Sequence, residues 1–78
     1  MAPTLTREEK FEIALDELEG FAERNVRRAQ VALAVAKEDF RIYGLDHHRL
    51  GVTIEEVRLH EAERFFLVIH ERVKEAKR

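Results

Sequence analysis

The chain has no cysteine, no serine and no tryptophan, and only one proline, one asparagine and one glutamine among its 78 residues. Without cysteine there is neither a disulfide framework nor a thiolate metal site. Without serine or cysteine, two common nucleophiles of covalent catalysis are missing. The glycines, Gly20, Gly44 and Gly51, are scattered, so no glycine-rich loop can cradle a phosphate. Neither sign of charge prevails: 16 acids against 14 bases leave −2, which implies no bulk attraction to nucleic acid or membrane. The longest apolar runs, Val31 to Ala36 and Phe65 to Ile69, fall far short of the roughly 20 residues that cross a bilayer. Residues 1–10 lack the apolar centre of a signal peptide. These absences lead to the expectation of a cytoplasmic, non-enzymatic chain with no cofactor and no membrane partner. Few thermolabile residues beside many charges make the composition thermophile-like.

What is present is the grammar of helices. Thr6-Arg7-Glu8-Glu9 and Thr53-Ile54-Glu55-Glu56 are capping boxes. In each, the Thr hydroxyl can accept from the backbone N–H three residues on, and the Glu carboxylate can reach back. The first box predicts a helix over 6–43, after a lead-in in which Pro3 keeps Ala2 extended. Its apolar positions step by three and four through Phe11, Leu15, Leu18, Ala22, Asn25 and Ala29 to Tyr43. Gly20 lies inside this run, at a cost of about 1 kcal/mol relative to Ala. The unbroken spacing favours one helix bent at Gly20 over two separate helices. Gly44 suits the left-handed position after a helix end. Residues 45–51 then form a turn, and the second box opens a helix over 53–77.

The fold class is therefore all-α: a single domain, 1–78, built as a long antiparallel helical hairpin. Helix 1 outruns helix 2, so residues 6–20 would have nothing to lie against. Val31 to Ala36 and Phe65 to Ile69 are apolar on every side, and a helix that is apolar all round is buried all round. A homodimer forming a four-helix bundle would cover these surfaces. The expected function is a small assembly or regulatory module acting by helix-on-helix contact with itself or a protein partner. The expected interaction surface is Phe11, Leu15, Leu18, Phe21, Val31, Val35, Phe65, Phe66 and Ile69. Asn25 and Glu61 fall on otherwise apolar seams, where a polar residue can fix register or oligomer state.

Other constellations carry alternatives. Glu56, His60 and Glu63 share one stretch of helix 2 and offer donors suited to iron, manganese or zinc. In architecture this resembles the two-helix, dimerising members of the ferritin-like superfamily, which implies a metal-binding bundle. The Glu-x-x-His of that family is absent here. His60-Glu61 and His70-Glu71 resemble the phospho-accepting helix of histidine-kinase dimerisation domains, but both lie on the second helix and no proline follows. Phe11 to Glu19 is similar to the opening of the exonuclease VII small subunit, another two-helix hairpin whose turn comes earlier. Asp46-His47-His48 reads as a polar turn. Arg24, Arg27 and Arg28 could touch phosphates as a nucleic-acid accessory surface, though no aromatic residue interleaves with them.

Overall fold

A computed structural model describes residues 4–78; Ala2 and Pro3 of the lead-in lie outside the described residues. Two helices, α1 (Arg7–Tyr43) and α2 (Asp46–Ala76), pack against each other as an antiparallel hairpin. The molecule measures 60 × 29 × 12 Å, so it is one layer thick.

The start of α1 follows the first capping box. The Glu9 N–H donates to Thr6 Oγ1 at 3.1 Å, and the Thr6 hydroxyl donates to the Glu9 carboxylate at 3.1 Å. The helix runs through Gly20 without a break. A Cβ at Gly20 would sit 3.2 Å from Arg24 Nη1, because the Arg24 side chain lies back over the bare backbone. At the end, Gly44 is left-handed (φ 65°), and its N–H donates to the Phe40 carbonyl at 2.8 Å. A side chain there would add the strain of a left-handed backbone, which glycine avoids.

The second box is not a helix start. α2 begins at Asp46, seven residues earlier than the box implies. Leu45 is the N-cap in extended geometry, with no side-chain bond, and its carbonyl accepts from the His48 and Arg49 N–H groups. The Asp46 carboxylate compensates by sitting in the positive first turn. No proline interrupts residues 46–53, and one helical glycine costs only about 1 kcal/mol. Thr53 is therefore interior, its hydroxyl donating to the Arg49 carbonyl at 3.3 Å. The two threonines should respond differently to the same change. Thr6→Ala is expected to cost about 1 kcal/mol, as loss of an N-cap does. Thr53→Ala is expected to cost nothing or to gain up to about 0.7 kcal/mol, since Ala is the better helix former. Urea melts at one fixed protein concentration would check both; equal losses would contradict the assigned helix start.

Starting earlier lets α2 reach further. Lys77 Nζ lies 2.5 Å from Asp16 Oδ1, and His70 Nδ1 lies 3.0 Å from Glu19 Oε1. The uncovered part of α1 shrinks from the expected residues 6–20 to its first turns. Phe40 sits level with Arg49, whose guanidinium is 5.7 Å from the ring centre, and Glu19 sits level with His70. On that register the two apolar runs are staggered along the hairpin rather than side by side. Val31 to Ala36 falls level with residues 53–58, and Phe65 to Ile69 with residues 20–24.

The seam between the helices follows a heptad on both sides. From α1 it takes Leu15, Glu19, Ala22, Val26, Ala29, Leu33, Ala36 and Phe40, each buried or half-buried. From α2 it takes His48, Val52, Glu55, Leu59, Ala62, Phe66, Ile69 and Val73, likewise. The expected α1 stripe is rotated: Glu19, Val26 and Leu33 replace Leu18, Asn25 and Ala32. Asn25 is consequently exposed, and the polar residues of the seam are His48, near the turn, and the two carboxylates Glu19 and Glu55. Both are partnered, Glu19 by His70 and Glu55 by Arg58 at 3.0 Å. Only Ala22, Ala62 and Val73 are buried, and no large side chain is fully buried among the described residues.

Candidate functional site

A heptad seam leaves two broad faces on a flat hairpin, and they differ in chemistry. On ideal helix geometry, rows about 80° to one side of the seam carry Asp16, Glu23, Gln30 and Lys37 from α1. The matching α2 row is Arg49, Glu56, Glu63, His70 and Lys77. Every residue of these two rows is polar, and the Asp16–Lys77 pair spans them. The hydrogen bond to Asp16 raises the Lys77 pKa, with Glu19 and Glu12 adding attraction. On the outer surface of α1 the Arg41 guanidinium, 2.5 Å from the Glu38 carboxylate, holds that carboxyl below its ordinary range.

The other face is largely apolar on α1. Its rows carry Phe11, Leu18, Phe21, Ala32, Val35 and Ile42. Phe21 is 54% exposed and Val35 55%. From α2 the same face receives Ile54, Phe65 and Val68, which alternate with Arg58, Glu61 and Arg72. At mid-length the two helices border a shallow groove lined by Asn25, Arg28, Ala32, Arg58, Glu61 and Phe65. None of Asn25, Arg28 and Glu61 takes part in a hydrogen bond or ion pair between side chains among the described residues.

The residues expected at an interaction surface therefore divide three ways. Phe11, Leu18, Phe21, Val35 and Phe65 share the exposed apolar face. Leu15, Phe66 and Ile69 are half-buried in the hairpin's own seam. Val31, 63% exposed, points away from α2 on the back of α1. Ile42, Ile54 and Val68 belong to the apolar face and were not expected there. The heptad register would have revealed them, but it depends on α2 starting at Asp46.

The remaining candidates are dispersed. Glu56, His60 and Glu63 are exposed on α2, and Glu56 and Glu63 lie in the polar row. Among the described residues no three His, Cys, Asp or Glu side chains are grouped so as to hold a metal ion. Arg24, Arg27 and Arg28 are exposed on successive rows around the outside of α1, and only Arg28 reaches the groove. His47 and His48 are not in a turn but in the first turn of α2. There His48 stacks on Tyr43, 5.3 Å between ring centres, and His47 lies 4.0 Å from His48. His70 stacks on Phe66 at 5.8 Å and meets Glu19 of α1 rather than its neighbour Glu71. Among the described residues no helix is long and apolar enough to cross a membrane. Comparison with known proteins finds no family model, no curated protein and no solved structure that matches this chain.

Proposed function

We propose that this chain is a small, non-enzymatic assembly module that works by helix-on-helix contact, with its apolar face as the docking surface and a second copy as the occupant. The observation that carries this is the difference between the two faces: the rows beside the seam are polar on one, and the other is studded with Phe, Leu, Val and Ile. Large exposed apolar side chains gathered on one face among polar ones are characteristic of an interaction site. The size of the exposed surface points the same way. A compact monomer of 9.2 kDa would expose about 4,900 Å². This hairpin exposes 6642 Å². The excess, about 1,700 Å², is larger than the roughly 800 Å² per partner of a standard interface. A core of Ala22, Ala62 and Val73 is also too small for a chain without disulfides, which makes association the remaining stabilising device.

Native mass spectrometry and concentration-dependent urea melts test the proposal together. The expected result is a multiple of 9.2 kDa, with a melting midpoint that rises with protein concentration. A folded monomer whose midpoint is independent of concentration would overturn it.

A further inference from the structure

We infer that the second copy docks with its turn at the opposite end, so that α1 of each protomer runs antiparallel along α1 of the other and Leu18 meets the partner's Val35. This rests on the self-association proposed above and adds its geometry. The outward stripe of α1 on the apolar face reads alike from either end, about a point between Val26 and Arg27. Nearest that point stand Asn25 and Arg28, then Phe21 and Ala32, then Leu18 and Val35, and furthest out Phe11 and Ile42. A twofold axis through the point, across the hairpin, sets apolar on apolar at three levels: Phe11 on the partner's Ile42, Leu18 on the partner's Val35 and Phe21 on the partner's Ala32. Asn25 falls on the partner's Arg28. In the one mixed pair, Ala14 meets the partner's Asp39, and so small a side chain leaves the carboxylate room to reach water. The match is a property of one helix and owes nothing to the register between α1 and α2. Its steps of three and four are those of a coiled-coil seam, and a polar layer in such a seam fixes register. Sliding one copy by a heptad destroys it, because Leu18 then falls on the partner's Arg28, or Phe21 on the partner's Asp39. Asn25 and Arg28 are exposed and outside the ion pairs among the described residues, so the guanidinium can donate to the amide oxygen of the partner's Asn25. The two Arg28 side chains approach each other across the axis. Glu61, level with Arg28 in its own hairpin and bordering the same groove, offsets their repulsion.

The overhang of α1 points the same way. Phe11 and Ile42, near opposite ends of α1, are each 55% exposed. With the turns together, α1 would lie on the partner's α2, which ends at Ala76, short of the level of Phe11. Leu18 and Ala32 would then fall about level with the partner's Arg72 and the partner's Arg58. With the turns opposed, Phe11 lies on the partner's Ile42 and the overhang is covered. The two α2 helices stay at the edges of that assembly. On ideal helix geometry the two rows of the stripe stand about 80° and 140° from the seam, a mean direction that leans away from α2. The hairpins therefore splay, and Arg58, Glu61 and Arg72 keep their water. Phe65, about level with Asn25 and so close to the axis, reaches from α2 toward the partner.

The absence of native cysteine makes the test direct, because a single introduced thiol is a unique label. Asp46→Cys places a spin label at the turn of each protomer. The expected separation of the labels is about 50 Å, twice the rise from the axis to the turn. Turns held together would bring the labels within the 29 Å width of the hairpin and would overturn the inference. The second measurement is a paired substitution. Leu18→Glu and Val35→Lys are each expected to raise the dimer dissociation constant about tenfold or more, since each sets one charge against an apolar side chain. The double variant sets the two charges face to face, and is expected to associate about tenfold more tightly than the weaker single variant. The two positions lie roughly 25 Å apart along one helix, so only two copies can bring them together. Both side chains are exposed in the hairpin, so circular dichroism should show unchanged helix content. Single variants without effect, or a double variant no tighter than the weaker single one, would overturn the contact between Leu18 and the partner's Val35. A dimer with its turns together sinks this arrangement alone, whereas a monomer of the unsubstituted chain sinks the self-association as well.

Discussion

Phe65→Asp is expected to yield a helical chain of half the native mass, whereas Phe66→Asp, one residue on, is expected to cost the fold itself. The two rings sit on different surfaces of α2. Phe65 is 40% exposed and looks out over the apolar face, beside the groove with Asn25 and Arg28. A carboxylate there remains hydrated in the separated hairpin and loses its water only when a second copy docks, so association bears the cost. Phe66 is half-buried in the seam, against Val26 at the border of the opposite groove, and stacks on His70. Removing a fully buried aromatic side chain costs about 3–5 kcal/mol and a half-buried one less, but a charge in its place adds desolvation. A marginal hairpin cannot absorb that. Native mass spectrometry with circular dichroism separates the outcomes. A Phe65→Asp protein that stays assembled would remove this face from the interface, and a fully helical Phe66→Asp protein would contradict the seam. Leu18→Asp should behave as Phe65→Asp does, since Leu18 shares its face.

Ala22→Leu should destabilise by about 1–3 kcal/mol, the usual cost of overpacking a filled site. Ala22 is 0% exposed, the most enclosed residue of the hairpin. It belongs to the row Ala22, Ala29 and Ala36, which faces Ala62 and the half-buried Phe66 and Ile69 across the seam. Small side chains on one helix let it approach the bulky ones on the other; three extra carbons at the tightest point push the axes apart and loosen the turns above and below. Ala34→Leu is the control, because Ala34 is exposed on the outer side of α1 and its substitution should move the urea midpoint little. An equal fall for both variants would show that leucine disturbs α1 by some route other than the seam. Both melts belong at one protein concentration, since association shifts apparent stability by mass action.

The legible parts were those that depend on neighbours in the chain. The N-terminus of α1 follows from Thr6 and Glu9, whose bonds close within one turn. Its end follows from Gly44, which takes the left-handed backbone that L side chains avoid. The hairpin follows from two long amphipathic stretches and one break. The start of α2 was misread because Thr53 and Glu56 have the spacing of a capping box wherever they occur. Whether the box works depends on the residues before it, and these continue the helix up to Leu45.

The candidate site was legible in composition and not in membership. Phe11, Leu18, Phe21, Val35 and Phe65, expected at an interaction surface, are exposed on one face of the hairpin. Leu15, Phe66 and Ile69 are equally apolar but point into the seam. Adjacent heptad rows on one helix differ by only a fraction of a turn, and a broad apolar stripe fits several choices of inward row. Asn25 shows how fine the distinction is. Its row looked like the seam, yet Val26, one residue on, takes the inward place.

The sequence by itself thus determined that the chain is helical, where α1 begins and ends, and that more apolar surface exists than one hairpin can hide. Those are properties of composition, periodicity and local hydrogen bonding. Only the tertiary structure decided the length of α2, the stagger of the two apolar runs and the split between seam and outer face. The reason is that the register between two helices is fixed by how side chains from both interlock, Ala22 and Ala62 opposite Phe66 and Val26, and no single stretch of sequence contains both halves of that fit.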